Sequence, residues 1–305
     1  MLIRHLHYIT VLAREGHFAR AAEICNITQP TLSAALRKLE EDFAVRLVER
    51  DHAFVGLTAE GKRVLAWATQ ISSDFESLKL DLAEAAADLR GTLKIGVIPA
   101  AMPITGLFTL YFLAAHPLAK IDLQAITSRQ IQIGLDSLEL HGAITYLDNE
   151  PLQRVIQFPL YVERYVVISK RGHFRDQGTV PWQRLENEPL CLLNADMQNR
   201  RILDAAARRN QVSLDAQVTA NSFLTVCAHI RHGGWVSIVP ETLLPLYGLE
   251  EQFDVHRIAG DSTRHTIGLA LLDRQPMAKM TRAVFDAVFA SDLADSFAKA
   301  NAAIR

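Results

Sequence analysis

Residues 17–50 read HFARAAEICNITQPTLSAALRKLEEDFAVRLVER, and the order of apolar and polar positions within them decides the fold of the N-terminal region. Ala21, Ala22 and Ile24 mark the inner face of a short helix, Asn26-Ile27-Thr28 makes a turn, and a second helix opens at Gln29-Pro30. Pro30 suits a first helical turn, where a missing N–H costs nothing, and Thr28 is a natural N-cap. Leu32, Leu36 and Leu39 recur at helical spacing and turn inward, which leaves Gln29, Thr31, Ser33, Ala34, Arg37 and Lys38 outside. Two short helices joined by a tight turn let the second lie in a DNA major groove with its first side chains at base edges. On that reading Gln29, Pro30, Thr31 and Ser33 meet bases, Arg20, Lys38 and Arg50 meet phosphates, and Arg37 belongs to the same face. A helical hairpin that serves only a core is the alternative.

Composition alone does not point to nucleic acid. The formal charge is −2, and residues 1–50 carry seven Lys and Arg against six Asp and Glu, so a strongly basic footprint is absent. Glu40, Glu41 and Asp42 lie past the helix half that would meet DNA, which predicts a modest contact per subunit and several subunits on one site. A length of 305 residues with 49% hydrophobic content predicts two or three compact units. No basic segment followed by an apolar core opens the chain, so no signal peptide is expected. The uncharged run from Ile95 to Ala115 is long enough to raise a membrane span, but Pro99, Pro103 and Gly106 interrupt it. Cys25, Cys191 and Cys227 lack paired spacing and fit a reducing cytosol, with Cys25 expected to be inert core. A cytoplasmic protein with no membrane partner is the expectation.

From Thr58 to Leu89 nothing after Gly61 breaks a helix. Val64, Ala68, Ile71, Phe75, Leu78, Leu82, Ala85 and Leu89 follow alternating steps of four and three, a heptad seam. Thr58 can cap its start and Glu60 suits the positive end of the helix dipole. A helix of about 32 residues would run roughly 48 Å. It is read as a pairing helix between subunits, the alternative being burial inside one large core.

Residues 91–305 alternate short apolar strands with helices, which argues parallel sheets covered on both faces. Ligands in such sheets sit beyond the carboxyl ends of strands, where helix N-termini offer N–H groups to an anion. Pro99, Ala100, Ala101 and Met102 follow the first strand, Thr127, Ser128 and Arg129 the second, and Asn221, Ser222 and Thr225 open a later helix. Asn194 to Asn199 can close over the same cleft. Together they suit a small carboxylate or similar anion, although Thr127, Ser128 and Ser222 each serve equally well as simple helix caps.

TQPTLS, then LEEDFAVRLVER, then GLTAEG at residues 56–61 resemble the winged helix-turn-helix of the LysR-type bacterial transcriptional regulators, and a weaker resemblance extends over the whole chain. Ala44 stands where the family usually has Gly, Val48 where it has Phe, and Ala34 and Ala53 where many members carry Arg toward DNA. The resemblance implies an α/β protein with an N-terminal all-α winged helix-turn-helix at 1–58, a dimerisation linker helix at 59–89 and an effector-binding domain at 90–305. That domain would have a periplasmic-binding-protein-like (type 2) fold. Its subdomain I would cover about 90–161 and 268–305, and subdomain II about 162–267, with crossings near Leu160 to Arg164 and Arg264 to Ile267. It also implies a homotetramer built as a dimer of dimers on double-stranded promoter DNA, answering to a small-molecule effector. TYLDNEPL at 145–152 and DMQNRRI at 196–202 resemble a subgroup found near formate dehydrogenase genes, which suggests formate or a related one-carbon metabolite.

Other chemistries find less support. His232-Gly233-Gly234-Trp235 is similar to an esterase oxyanion loop, but no G-x-S-x-G elbow supplies a nucleophile. Cys227 points away from the helical face shared by His229 and His232, so no metal site is expected. No phosphate-binding glycine loop appears, so no nucleotide cofactor is expected. The expectation is a non-enzymatic, ligand-responsive regulator without cofactors. The alternative is a small-molecule binding protein whose N-terminal helices serve only assembly. The polar face of Gln29, Thr31, Ser33 and Lys38 separates the two, because a pure binding module has no use for it.

Overall fold

A computed structural model describes residues 2–51, 53–82, 89–174, 178–260 and 264–290. The chain divides into two compact units, one drawn from Met1–Ala87 with Asp136–Glu139, the other from Asp88–Leu135 and Leu140–Arg305.

The first unit runs α1 (Leu2–Glu15), α2 (Phe18–Ile24), α3 (Gln29–Phe43), β1 (Val48–Asp51), β2 (Ala53–Leu57) and α4 (Ala59–Leu82). Thr28 caps α3 by accepting the Thr31 N–H, and Pro30 occupies the first turn. Leu32, Leu36 and Leu39 are fully buried in a core with Ile9 and Leu12 of α1 and Ala21 and Ala22 of α2. Ile24, expected inside, is 45% exposed. It is the last residue of α2, and Asn26 just beyond takes a left-handed φ of 53°, so the chain leaves the helix before Ile24 can turn inward.

The antiparallel pair β1–β2 is tied to the helices on either side of it. Glu40 Oε1 accepts the N–H groups of Leu47 and Val48 at 2.9 and 3.1 Å. The Thr58 hydroxyl donates to the Arg46 carbonyl at 2.7 Å and accepts the Gly61 N–H at 2.9 Å, capping α4. A Cβ on Gly61 would fall 2.0 Å from the Leu47 carbonyl oxygen, so this approach of strand and helix admits only glycine.

The apolar stripe of α4 divides in two. Val64 and Ala68 pack into the core of the first unit, whereas Trp67, Ile71 and Leu78 remain exposed. Ala85 lies outside the described residues. Leu89, expected to end the stripe, is instead buried in the core of the second unit.

The second unit begins with β3 (Gly91–Val97), a 3-10 turn (Pro99–Ile104), α5 (Thr105–Ala115), β4 (Ala119–Ala125), α6 (Ser128–Asp136), β5 (Gly142–Tyr146) and β6 (Val155–Glu163). It continues through β7 (Tyr165–Lys170), β8 (Thr179–Val180), α7 (Trp182–Leu185), β9 (Leu190–Leu193), α8 (Gln198–Arg209), β10 (Ala216–Ala220) and α9 (Phe223–His232). It ends with β11 (Ser237–Pro240), α10 (Leu243–Tyr247), α11 (Leu249–Gln252), β12 (Phe253–Ile258), β13 (His265–Leu272) and α12 (Lys279–Ala290). One sheet has the order β4-β3-β5-β13-β6. The second has the order β11-β7-β12-β8, with the parallel pair β10-β9 joined by a bridge between Leu190 and Val236. The chain passes between the sheets twice, between Glu163 and Tyr165 and between Ile258 and His265.

The sheets are mixed rather than fully parallel. β3 runs parallel to β4 and β5, but β13 is antiparallel to β5 and β6 because it re-enters the first sheet from the second. The uncharged run from Ile95 folds as β3, the 3-10 turn and α5, and no helix among the described residues is long and apolar enough to cross a membrane.

Ala44 ends α3 with φ 54°, a conformation in which its Cβ crowds the backbone. Ala44→Gly is expected to stabilise the first unit by about 1 kcal/mol, seen as a higher melting temperature. An unchanged or lower one would show that the strain is already relieved locally.

Candidate functional site

On α3 the expected contact residues share one side of the helix. Gln29, Pro30, Thr31, Arg37 and Lys38 are exposed, Ser33 is half-buried, and Arg20 is exposed on α2. The Thr31 hydroxyl lies 2.8 Å from that of Thr28, so it is partly engaged within the cap. The Lys38 ammonium pairs along its own helix with Asp42 at 3.1 Å and Glu41 at 3.5 Å. Those partners, the Asp42 hydrogen bond first, hold its pKa above the ordinary lysine value. A phosphate would have to compete with them, a cost written in the i,i+3 and i,i+4 spacing of Lys38, Glu41 and Asp42 on one helix. The side chains of Arg50 and Ala53 lie outside the described residues.

In the second unit a cavity of about 540 Å³ opens between the two sheets' ends. Pro99, Met102 and Thr127 line it from one subdomain, and Asn194, Asn221 and Ser222 from the other. The remaining expected residues lie elsewhere. Ala100 and Ala101 are buried in the core, and Arg129 is exposed outside the lining. Ser128 is buried 3.4 Å from Arg201 Nη2, and buried Asn199 donates to the Tyr165 hydroxyl at 2.9 Å. Thr225 is exposed on α9, its carbonyl hydrogen-bonded to His229 Nδ1. Consecutive residues of a helical turn diverge by about 100°, so only some of each trio can reach one cavity.

Asp196 and Met197, within the expected stretch from Asn194 to Asn199, and Phe223, within that from Asn221 to Thr225, also line the cavity, whereas Gln130 and Leu243 line it without having been expected. Gln130 had a readable signal. It stands three residues after Thr127, and the two close a capping box, with the Thr127 N–H on Gln130 Oε1 at 2.9 Å and the Gln130 N–H on Thr127 Oγ1 at 3.2 Å. Ser222 differs, because it begins α9 without using its hydroxyl as a cap. That hydroxyl and the first N–H groups of α9 are open to a ligand at the positive end of the helix dipole. Among the described lining residues Asp196 is the one formal charge.

At the first crossing a carboxyl group is wholly enclosed. Tyr146 donates to Glu163 Oε1 at 2.5 Å, the Tyr146 and Tyr165 hydroxyls lie 2.5 Å apart, and Asn199 supports Tyr165. Burial lifts the Glu163 pKa to about 7, against the downward pull of the surrounding tyrosine hydroxyls. A carboxyl whose folded value exceeds its unfolded one favours the fold fully below about 4.5, and that contribution fades as pH rises through about 7. Glu163→Gln should therefore flatten the fall in melting temperature between pH 5 and pH 8. An equally steep fall in the variant would mean that Glu163 does not titrate in the fold.

Known protein families match most of the chain. Residues 3–62 match the bacterial regulatory helix-turn-helix protein family of lysR type, and residues 86–291 match the LysR substrate binding domain. The chain is 26% identical over 301 residues to the DNA-binding transcriptional dual regulator OxyR of Escherichia coli, covering 94% of this chain and 95% of that protein. It is 29% identical over 224 residues to the hydrogen peroxide-inducible genes activator of Haemophilus influenzae, covering 73% and 71%. In structure it is similar to a full-length OxyR variant from Pseudomonas aeruginosa, with TM-score 0.75, 24% identity and 97% of each chain covered. It is also similar to full-length CbnR complexed with its target DNA, with TM-score 0.68, 20% identity, and 95% and 99% covered. With a DNA-reading head and an effector-type domain both matched along its length, the chain belongs to the LysR family of DNA-binding transcriptional regulators.

Proposed function

We propose that this regulator places the start of α3 in a major groove and answers to a small molecule held in the 540 Å³ cavity of its second unit. The observation that carries the DNA reading is the division of α3 itself. Leu32, Leu36 and Leu39 are fully buried while Gln29, Pro30, Thr31, Arg37 and Lys38 stand exposed opposite them. Gln29 and Ser33 meet base edges, and Arg20, Arg37 and Arg50 meet phosphates. The exposed Trp67, Ile71 and Leu78 of α4 pair subunits, and two such dimers assemble on one operator. The protein works in the cytoplasm and binds rather than converts its effector.

The effector we propose is a monoanion with several polar groups. With Arg129 outside the lining, its negative end is held by the N–H groups at the start of α9, the Ser222 hydroxyl and the amides of Asn194 and Asn221. Asp196 opposite disfavours a second negative charge. A volume of 540 Å³ lies in the range for ligands of many heavy atoms, so formate alone would leave most of it empty.

Several relatives carry hydrogen peroxide in their names. In this chain burial pushes the thiols of Cys191 and Cys227 up to about 11 and raises that of Cys25, which keeps them protonated and poorly reactive. We therefore propose a non-covalent signal. Stoichiometric hydrogen peroxide is expected to leave all three thiols titratable and the DNA footprint unchanged; a lost thiol with an altered footprint would point to oxidation instead.

DNA binding divides the two classes of residue. Gln29→Ala should abolish preference for a promoter fragment over random DNA, whereas Arg37→Ala should weaken both alike and lower the salt slope by about 1. Equal behaviour of the two variants would break this assignment, and no preference in the parent protein would favour a solute-binding protein.

A further inference from the structure

The two stretches TYLDNEPL and DMQNRRI, far apart in sequence, meet across the cleft of the second unit. The first leaves β5 in the first sheet's subdomain, and the second enters α8 in the other. Arg201 grips Glu150 through two parallel bonds, Nε to Oε1 at 2.7 Å and Nη2 to Oε2 at 2.5 Å. The same guanidinium donates through Nη1 to the Asp196 carbonyl at 2.6 Å and through Nη2 toward Ser128 Oγ at 3.4 Å. One turn earlier on the same face of α8, buried Gln198 donates to the Asn149 carbonyl.

The turn that receives these bonds is held in place. Asp148 accepts the Thr266 N–H at 2.7 Å and lies 3.1 Å from His265 Nδ1, which fastens the turn to β13. Glu150 takes a φ of 49°, a left-handed conformation that costs a residue with a Cβ and persists only where its surroundings impose it. That conformation presents the Glu150 carboxylate to Arg201. The fork holds the Glu150 carboxyl below the ordinary glutamate value.

Neither Glu150 nor Arg201 lines the cavity, yet Arg201 holds the backbone of Asp196, which lines it together with Asn194 and Met197. We propose that Arg201 and Gln198 on one side and Glu150 and Asn149 on the other form a clasp that fixes the Asn194–Met197 wall and keeps the two subdomains closed. Arg201 and Glu150 are thus positioning residues for the effector. This rests on the cavity being the effector site, and it adds a part of the protein that sets how readily that site opens.

The test follows amide hydrogen exchange of the full-length protein, with neither effector nor DNA present, so its outcome is independent of whether the cavity takes the proposed ligand. Arg201→Gln and Glu150→Gln are each expected to speed exchange across residues 194–202 about tenfold, the loss of one charge-assisted fork, while core amides of β7 keep their protection. The double exchange Glu150→Arg with Arg201→Glu should return part of that protection, because it restores the ion pair but not the bond to the Asp196 carbonyl. Glu150→Gly removes the backbone strain as well as the carboxylate. A turn that matters only to itself would then become more protected, whereas a clasp would still open. Unchanged exchange in the single variants, no recovery in the double exchange, or slower exchange in Glu150→Gly would each overturn the proposal. Should either single variant lose protection in β7 as well, the double exchange and Glu150→Gly decide the matter alone.

Discussion

The polypeptide of the second unit must travel between its two sheets twice, at Glu163–Tyr165 and again at Ile258–His265. Each sheet is thereby assembled from segments distant in sequence, and β13 is forced to run against β5 and β6. The strand ends that bracket the cleft are consequences of that routing. So is the buried carboxyl of Glu163, which sits at the first crossing with Tyr146 from one subdomain and Tyr165 from the other closing around it. The Tyr146 hydroxyl meets one oxygen of this carboxyl, while the other, Oε2, is buried without a hydrogen-bond partner, and that burial favours the protonated form.

The first unit solves a different problem, which is to hold a two-stranded hairpin against helices with little area to spare. Polar bonds do that. Glu40 receives two N–H groups of the strand entry, and Thr58 spans the exit by bonding Arg46 and capping α4. The closeness that these bonds require leaves no space for a Cβ at residue 61. Ala44 shows the cost of departing from the most permissive residue, since a left-handed helix end is met here by a residue that resists it.

Much of the local structure was legible. The caps at Thr28 and Thr58, the inward leucines of α3 and most strands of the second unit follow from spacing and turn chemistry. β6 was missed because Pro159 interrupts its pattern, a residue acceptable only because β6 is the last strand of its sheet. β12, FDVHRI, was missed because the alternation of Phe253, Asp254 and Val255 breaks at the adjacent polar residues His256 and Arg257, and its partners β7 and β8 are distant in sequence. Of the cleft residues, those at the ends of strands and in the stretch from Asn194 to Asn199 could be anticipated, and Gln130 was readable from its capping-box spacing to Thr127, but Leu243 could not.

Chain order alone determined most of the segments that become helices and strands, and that a polar helix would stand on an apolar core, because caps and periodicity act between residues a few positions apart. It also supplied the motifs that mark the family. Tertiary structure decided what those rules do not reach: that Ser222 faces the cavity while Arg129 does not, and that Glu150 meets Arg201. Such pairings depend on how two sheets built from interleaved segments are set against each other. No local spacing encodes that arrangement.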